Sequence, residues 1–229
     1  MPIRYLLSMV ALPCGLIAQS PQPSPRNVLP AAATHRLSTS LEAARAHPYH
    51  VWRDTPPVDE EGVVTAYIEI SRGDRRKWEF DMRANTRAID RVIPEDIGGY
   101  PVNYGFVPQT VSYDGDPFDA LVLGPPLPGG ELARGIIVGF MYMEDEKGSD
   151  SKVVLSPVRE SGRPLYQLTE RAREEMAEYF RKYKRSEPGK FSKVPGWGTI
   201  GEGRAYVATT HAFFRDCPMR AGAPCRLDQ

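Results

Sequence analysis

From Val63 onward the sequence falls into short stretches that alternate polar and apolar residues, separated by clusters of Gly, Pro and Asp. No other feature constrains the fold as strongly. A period of two sends successive side chains to opposite faces of a strand, and strands this short cannot bury their apolar faces singly. In Val64-Thr65-Ala66-Tyr67-Ile68-Glu69-Ile70, the residues Val64, Ala66, Ile68 and Ile70 share one face and Glu69 lies on the other. In Lys77-Trp78-Glu79-Phe80-Asp81 the charges share one face and the aromatics the other. Similar runs lie near 88–93, 120–123, 136–143 and 152–158, a spacing that predicts a small barrel or sandwich. Two helices come after them. Thr169 is a suitable N-cap for the first, along which Leu168, Ala172, Met176, Tyr179, Phe180 and Tyr183 recur at helical spacing; the second carries Tyr206, Val207, Thr210, Phe213 and Phe214. The expected class is α+β, mainly β, with the two C-terminal helices packed outside the strands.

Composition narrows the partners. Among 229 residues, 29 Lys+Arg balance 29 Asp+Glu, so global charge supports neither a nucleic-acid binder nor a protein held on an anionic membrane. Arg4 precedes an apolar run over 6–18, long enough for a signal peptide and too short for a span of about 20 residues. Ala18-Gln19-Ser20 offers a cleavage site, with Pro21 directly after it, while Pro13 argues against a lipid anchor on Cys14. Residues 1–20 are therefore expected to be a signal peptide and the protein to be exported, periplasmic or secreted, without a stable membrane anchor. Two alternatives stay open. The lack of Asp and Glu before Glu42, together with Arg26, Arg36 and several serines, also fits an organellar transit peptide, and a misassigned start would leave the protein cytoplasmic. Residues 21–60, rich in Pro, Ser and Ala, are expected to be an extension or linker with one short helical turn near 41–46. The domain proper is expected over 61–215. In the tail, 216–229, Cys217 and Cys225 form an even pair that an oxidising compartment would join as a disulfide; the alternative is two unrelated thiols. His47 and His50 form an HxxH without further ligands, which fits a surface pair better than a zinc site.

The chemistry lies in Asp114-Gly115-Asp116-Pro117-Phe118-Asp119. Three carboxylates in six residues repel one another and call for cations; as hard oxygen donors they suit Mg²⁺, Mn²⁺ or Ca²⁺. An EF-hand loop fails, because Asp119 stands where its glycine belongs and Pro125 where its final Glu belongs. A solvated acidic turn is the plain alternative, but Phe118 and the apolar Ala120-Leu121-Val122-Leu123 set the acids against a core. A second acidic set, Glu144-Asp145-Glu146 with Asp150, ends another strand. Lys77, Arg91, Tyr104, Lys152, Tyr183 and Lys184 are candidate anion ligands, each with an ordinary structural reading when taken singly.

Taken in order, these motifs resemble the family I soluble inorganic pyrophosphatases. The acidic hexad matches that family's D-[small]-D-P-[apolar]-D signature. Tyr100-Pro101-Val102-Asn103-Tyr104-Gly105-Phe106-Val107-Pro108-Gln109-Thr110 is similar to its flanking sequence, and Ile68-Glu69-Ile70, Lys77-Trp78-Glu79, Asp90-Arg91 and Tyr183-Lys184 before Gly189-Lys190 also match. The resemblance covers roughly 63–215.

It implies a closed five-stranded OB-like β-barrel and hydrolysis of pyrophosphate to two orthophosphates, with several Mg²⁺ ions per site for which Mn²⁺ or other divalent ions substitute. By position, Asp114, Asp119, Asp145 and Asp150 would be metal ligands and Asp116 the general base. Lys77, Arg91, Tyr104, Tyr183 and Lys184 would hold phosphate oxygens, with Lys152 beside them, and Glu69 and Glu79 would line the cavity. The resemblance also implies a homo-oligomer. The alternatives are a non-catalytic exported OB-like module that binds metal or anions, and a metal-dependent phosphatase for other phosphate esters.

Overall fold

The computed structural model describes residues 25–220 and 223–227, so the expected signal peptide lies outside the described residues. In chain order the elements are β1 (Val28–Leu29), α1 (Ala31–Ala44), α2 (Val51–Asp54), β2 (Val64–Ile70), β3 (Arg76–Asp81), β4 (Thr86–Val92), β5 (Asn103–Val107), β6 (Phe118–Val122), β7 (Leu132–Asp145), β8 (Gly148–Ser149), β9 (Lys152–Pro157), α3 (Glu170–Lys182), β10 (Ser192–Gly198), α4 (Ile200–Asp216) and β11 (Cys225–Arg226). The strands expected from period-two text are present. β5 and β10 carry too little alternation to be read that way.

The main sheet runs β10-β7-β2-β5-β6-β9, and β9 also pairs with β7. Only β6 and β9 run parallel, with Ala120 opposite Val153, which sets Asp119 beside Lys152 at the mouth of the sheet. The β3–β4 hairpin forms a separate ladder in which Lys77 faces Arg91. The β2–β5 pair closes tightly at Gly105, where any Cβ would lie 1.8 Å from the Tyr67 carbonyl oxygen, so only glycine fits. The register shifts between Ile68 and Ile70. Val64, Ala66 and Ile68 accordingly pack with Val107, Phe118 and Phe140. Ile70 instead joins Tyr100, Leu121 and Phe180, so the expected single apolar face of β2 does not hold. A bulge adds a residue to one strand and turns the residues beyond it to the other side.

Among the described residues there are four helices, the two expected after the strands and two more before them. α3 starts as expected at Thr169, whose hydroxyl accepts the Ala172 N–H at 3.2 Å. It buries Met176, Ala177, Tyr179 and Phe180. α4 opens on a reciprocal capping box between Thr199 and Glu202 and buries Tyr206, Val207, Thr210 and Phe213.

The extension is not a linker over its whole length. α1 covers 14 residues where one turn was expected, and buries Ala33, Thr34, Leu37 and Ala44. With Trp52 of α2 it forms a third core against Tyr67, Phe106, Val111, Phe213, Cys217 and Cys225. Leu37 is its one large, fully buried aliphatic residue, too weak a signal to reveal a helix whose stability comes from tertiary contact. His50 is likewise buried rather than superficial, and its Nε2 hydrogen-bonds the Met82 carbonyl at 3.0 Å. Cys217 and Cys225 are joined by a disulfide, which ties β11 to the end of α4, and β11 pairs in turn with β1. Among the described residues, no helix is long and apolar enough to cross a membrane.

Leu37→Ala should lower unfolding stability by about 2–5 kcal/mol, the range for a buried Leu cavity, as read from a urea titration. An unshifted urea midpoint would mean that α1 does not pack as described.

Candidate active site

The acidic turn between β5 and β6 is held in place by its own backbone. Asp114 Oδ1 accepts the Asp116 N–H at 3.1 Å. Ser112 N–H donates to the Asp116 carbonyl at 2.7 Å. Gly115 takes the left-handed region at φ +90°, where a side chain would be strained. Phe118, 1% exposed, anchors the end of the turn in the core.

That turn forms one wall of a cavity of about 320 Å³. Asp114, Asp116, Asp119, Asp145 and Asp150 all line it, as do Glu69, Glu79, Lys77, Tyr104, Tyr183 and Lys184. Eleven of the thirteen site residues expected from sequence therefore meet at one surface, though they come from several strands, two turns and the end of α3. The other two do not line it. Lys152, 1% exposed, donates to Asp119 at 2.5 Å and Asp150 at 2.9 Å beneath the floor. Arg91 lies opposite Lys77 in the β3–β4 ladder, paired with Asp90 at 2.7 Å and Glu187 at 2.5 Å, with its guanidinium 6.0 Å from the Tyr183 ring centre. Sequence reading missed Arg36, Ser40 and Lys147, which also line the cavity. Lys147 lies in the turn of an acidic hairpin and gave no cue beyond its charge. Arg36 and Ser40 lie in the supposed linker.

Cations stand beside most of these carboxylates. Lys147 Nζ lies 3.6 Å from Asp114 and 3.4 Å from Asp116, and Arg36 lies 3.4 Å from Asp116. Lys184 donates to Asp145 at 2.6 Å. Burial alone would raise Asp145, but the Lys184 ammonium and the Lys147 N–H hold its carboxyl below the ordinary range. Three other acids are raised instead. Asp150 is pushed up to about 8 by burial and by the Asp119 charge, against the pull of Lys152. Asp116 keeps 45% of its side chain open, yet the protein crowding it and the Asp114 carboxylate push it up to about 7. Glu69, whose Oε1 accepts the Phe80 N–H at 2.7 Å, is raised well above the carboxylate range by burial and then by Asp119. Burial also raises Tyr104 and Tyr183, keeping both as neutral phenols able to donate hydrogen bonds.

The donor set fits divalent cations of the hard, oxygen-seeking kind. Every candidate ligand is a carboxylate, and burial together with neighbouring negative charge raises two of the aspartates, Asp116 and Asp150, toward neutrality, where a divalent ion would offset both effects. Among the described residues, no three His, Cys, Asp or Glu side chains already form one ion's ligand shell, and lysines pair with Asp116, Asp119 and Asp145.

Residues 66–215 match the family model described as inorganic pyrophosphatase. The inorganic pyrophosphatase of Saccharolobus solfataricus is 37% identical over 152 residues, which is 63% of this chain and 87% of that protein. The one from Thermus thermophilus is 39% identical over 158 residues, covering 64% and 89%. Among solved structures, the inorganic pyrophosphatase of Coxiella burnetii superposes with a TM-score of 0.64 at 34% identity, over 70% of this chain and 99% of that one.

The raised carboxyls set a sign for stability in chelator. Above pH 6.5, aspartates of the unfolded chain are ionised, whereas folded Asp116 and Asp150 still hold protons up to about 7 and 8. The native state then binds more protons, so stability falls from pH 6.5 to 8, by at most about 1.4 kcal/mol per pH unit for each proton held. Urea midpoints at pH 6.5 and 8 should show that fall, and Mg²⁺ should abolish it; a flat profile in chelator would refute the assignment. Lys152→Met, which leaves Asp119 and Asp150 facing each other, should cost about 3–5 kcal/mol in the same assay.

Proposed function

The chain belongs to the inorganic pyrophosphatase family and hydrolyses pyrophosphate to two orthophosphates; from that premise we propose how its residues divide the work. The observation that carries the reading is the meeting, in one cavity, of five aspartates with the cations and phenols an anionic substrate needs.

Asp114, Asp119, Asp145 and Asp150 hold Mg²⁺, for which Mn²⁺ offers the same preference for oxygen ligands. When bound, the ions neutralise the substrate's charge and acidify the attacking water. Asp116 is the general base. It stands at the open side of the cavity, and its proton affinity lies near neutrality, where a base gains most from transfer in the transition state. Tyr104 and Tyr183 donate from neutral hydroxyls to phosphoryl oxygens. Lys77 and Lys184 stabilise the charge that collects on the leaving phosphate, and Arg91, outside the cavity lining, adds its charge from across the β3–β4 ladder, since phosphoryl transfer is chiefly positioning and electrostatics. Lys152 acts from beneath, keeping Asp119 and Asp150 at one separation. Glu69 and Glu79 line the wall, with Glu79 paired to Lys77.

The ring of pairings β7-β2-β5-β6-β9 supports reading this sheet as the closed, OB-like five-stranded barrel expected from the sequence. The Cys217–Cys225 disulfide supports an exported protein folding in an oxidising compartment. Ile89 and Val92, about half exposed on β4, offer apolar surface to a homo-oligomer.

The test is phosphate release from pyrophosphate, with Mg²⁺ or with chelator, beside a phosphomonoester and a nucleoside triphosphate. Turnover should require the metal and favour pyrophosphate, and Asp116→Asn should lower kcat by ~10²–10⁴, the range for losing a general base. Wild-type kcat in Asp116→Asn would remove Asp116 from that role.

A further inference from the structure

α1 lies outside the matched residues 66–215, yet it forms part of the cavity wall, with Arg36 and Ser40 one helical turn apart on the face that lines it. The helix is seated on the acidic turn itself. A Cβ added to Gly115 would fall 2.9 Å from Arg36 Cβ and Cδ and 3.1 Å from Ala33 Cα, so turn and helix touch at the one residue without a side chain. Behind this contact, Ala33 and Leu37 are buried against Trp52 and Phe213. The chain just before α1 is clamped by the β1–β11 ladder and the disulfide. Arg36 therefore has a fixed backbone beside the reaction centre.

Its guanidinium is only loosely held. The Asp116 carboxylate lies 3.4 Å away and the Asp114 carbonyl oxygen 3.5 Å, both long for charge-assisted bonds, and half of the side chain is exposed. Divalent ions held by Asp114 and the other ligand aspartates would weaken the negative field around Asp116, and with it the attraction that holds Arg36 there. A phosphoryl group entering the cavity then offers acceptors that match the guanidinium fork in geometry and charge. We propose that Arg36, contributed by the N-terminal helix outside the family domain, is a substrate-binding residue that contacts the phosphoryl oxygens of pyrophosphate. Ser40, on the same face, offers a second donor to the same anion. The inference rests on the reading of this cavity as the pyrophosphate site. It gives the extension a part in substrate affinity.

The experiment compares the full chain with Arg36→Gln and Arg36→Lys, each at its own saturating Mg²⁺. It records steady-state phosphate release and calorimetric binding of methylenediphosphonate, a non-hydrolysable diphosphate. Arg36→Gln should raise KM and weaken the diphosphonate by about 10-fold each, the scale of one charge-assisted hydrogen bond, with kcat within about 2-fold. Arg36→Lys should recover part of both losses, because it keeps the charge and loses the fork. Thermal melting should be nearly unchanged, since the side chain is half exposed. Unchanged KM and diphosphonate affinity would overturn the proposal, and so would a loss confined to kcat, which would make Arg36 a partner of Asp116 alone. A failure of the underlying reading looks different: the wild-type chain would release no phosphate, while diphosphonate binding would still report whether Arg36 meets the anion.

Discussion

Lys152 is 1% exposed and carries its ammonium between Asp119 and Asp150, and the rest of the site is arranged around that buried charge. A cation this deep is sustained only by paired anions, and the two aspartates could not stand so close without it. Burial works against the Lys152 charge, yet the two carboxylates hold it protonated above the ordinary lysine range. The parallel pairing of β6 with β9 makes the arrangement possible, because it brings the residue before Ala120 beside the residue before Val153. The rings of Tyr104 and Phe180 lie 5.5 and 5.7 Å from the same ammonium and limit its access to water.

Above this floor the charges remain unbalanced. Burial, and after it the charge of neighbouring carboxylates, pushes Asp116 up to about 7 and Asp150 to about 8, so the protein alone holds these carboxylates ionised at a cost. That imbalance is useful in an enzyme whose substrate arrives as a multiply charged anion. Carboxylates placed too close together are stabilised by divalent ions, and the ions in turn make an anion welcome. The neutral tyrosines and the lysines stand among these carboxylates, where bound cations would turn an acidic surface into an anion-binding one.

Much of this was legible in one dimension. The acidic hexad, the strand parity of Lys77 and Glu79, and Thr169 leading into a helical stripe each carry their meaning in local chemistry. Their physical causes act over a few residues: charge repulsion, the two-residue period and the capping of a free N–H. β5 was harder to read because it is short and contains Gly105, which is there for a close backbone approach that belongs to Tyr67 on another strand. The bulge at Ile68–Ile70 escaped for a similar reason, since its register is set by its partner. α1 was the largest omission. Its apolar face is little more than alanines and Leu37, and it is stable because α4, Trp52 and the disulfide-bonded tail cover it.

The sequence by itself determined which chemistry the chain carries, because carboxylates, lysines and tyrosines keep their acidity, charge and donor character wherever they are placed. It also determined the family, through residues whose order along the chain is specific. Only the tertiary structure decided which charges compensate which: Lys152 with Asp119 and Asp150, Lys184 with Asp145, Lys147 and Arg36 with Asp116. It also decided that a stretch resembling a linker forms a wall of the cavity in which these charges meet. Electrostatic compensation and burial depend on distances between residues far apart in the chain, and those distances exist only once the strands have paired and the helices have packed.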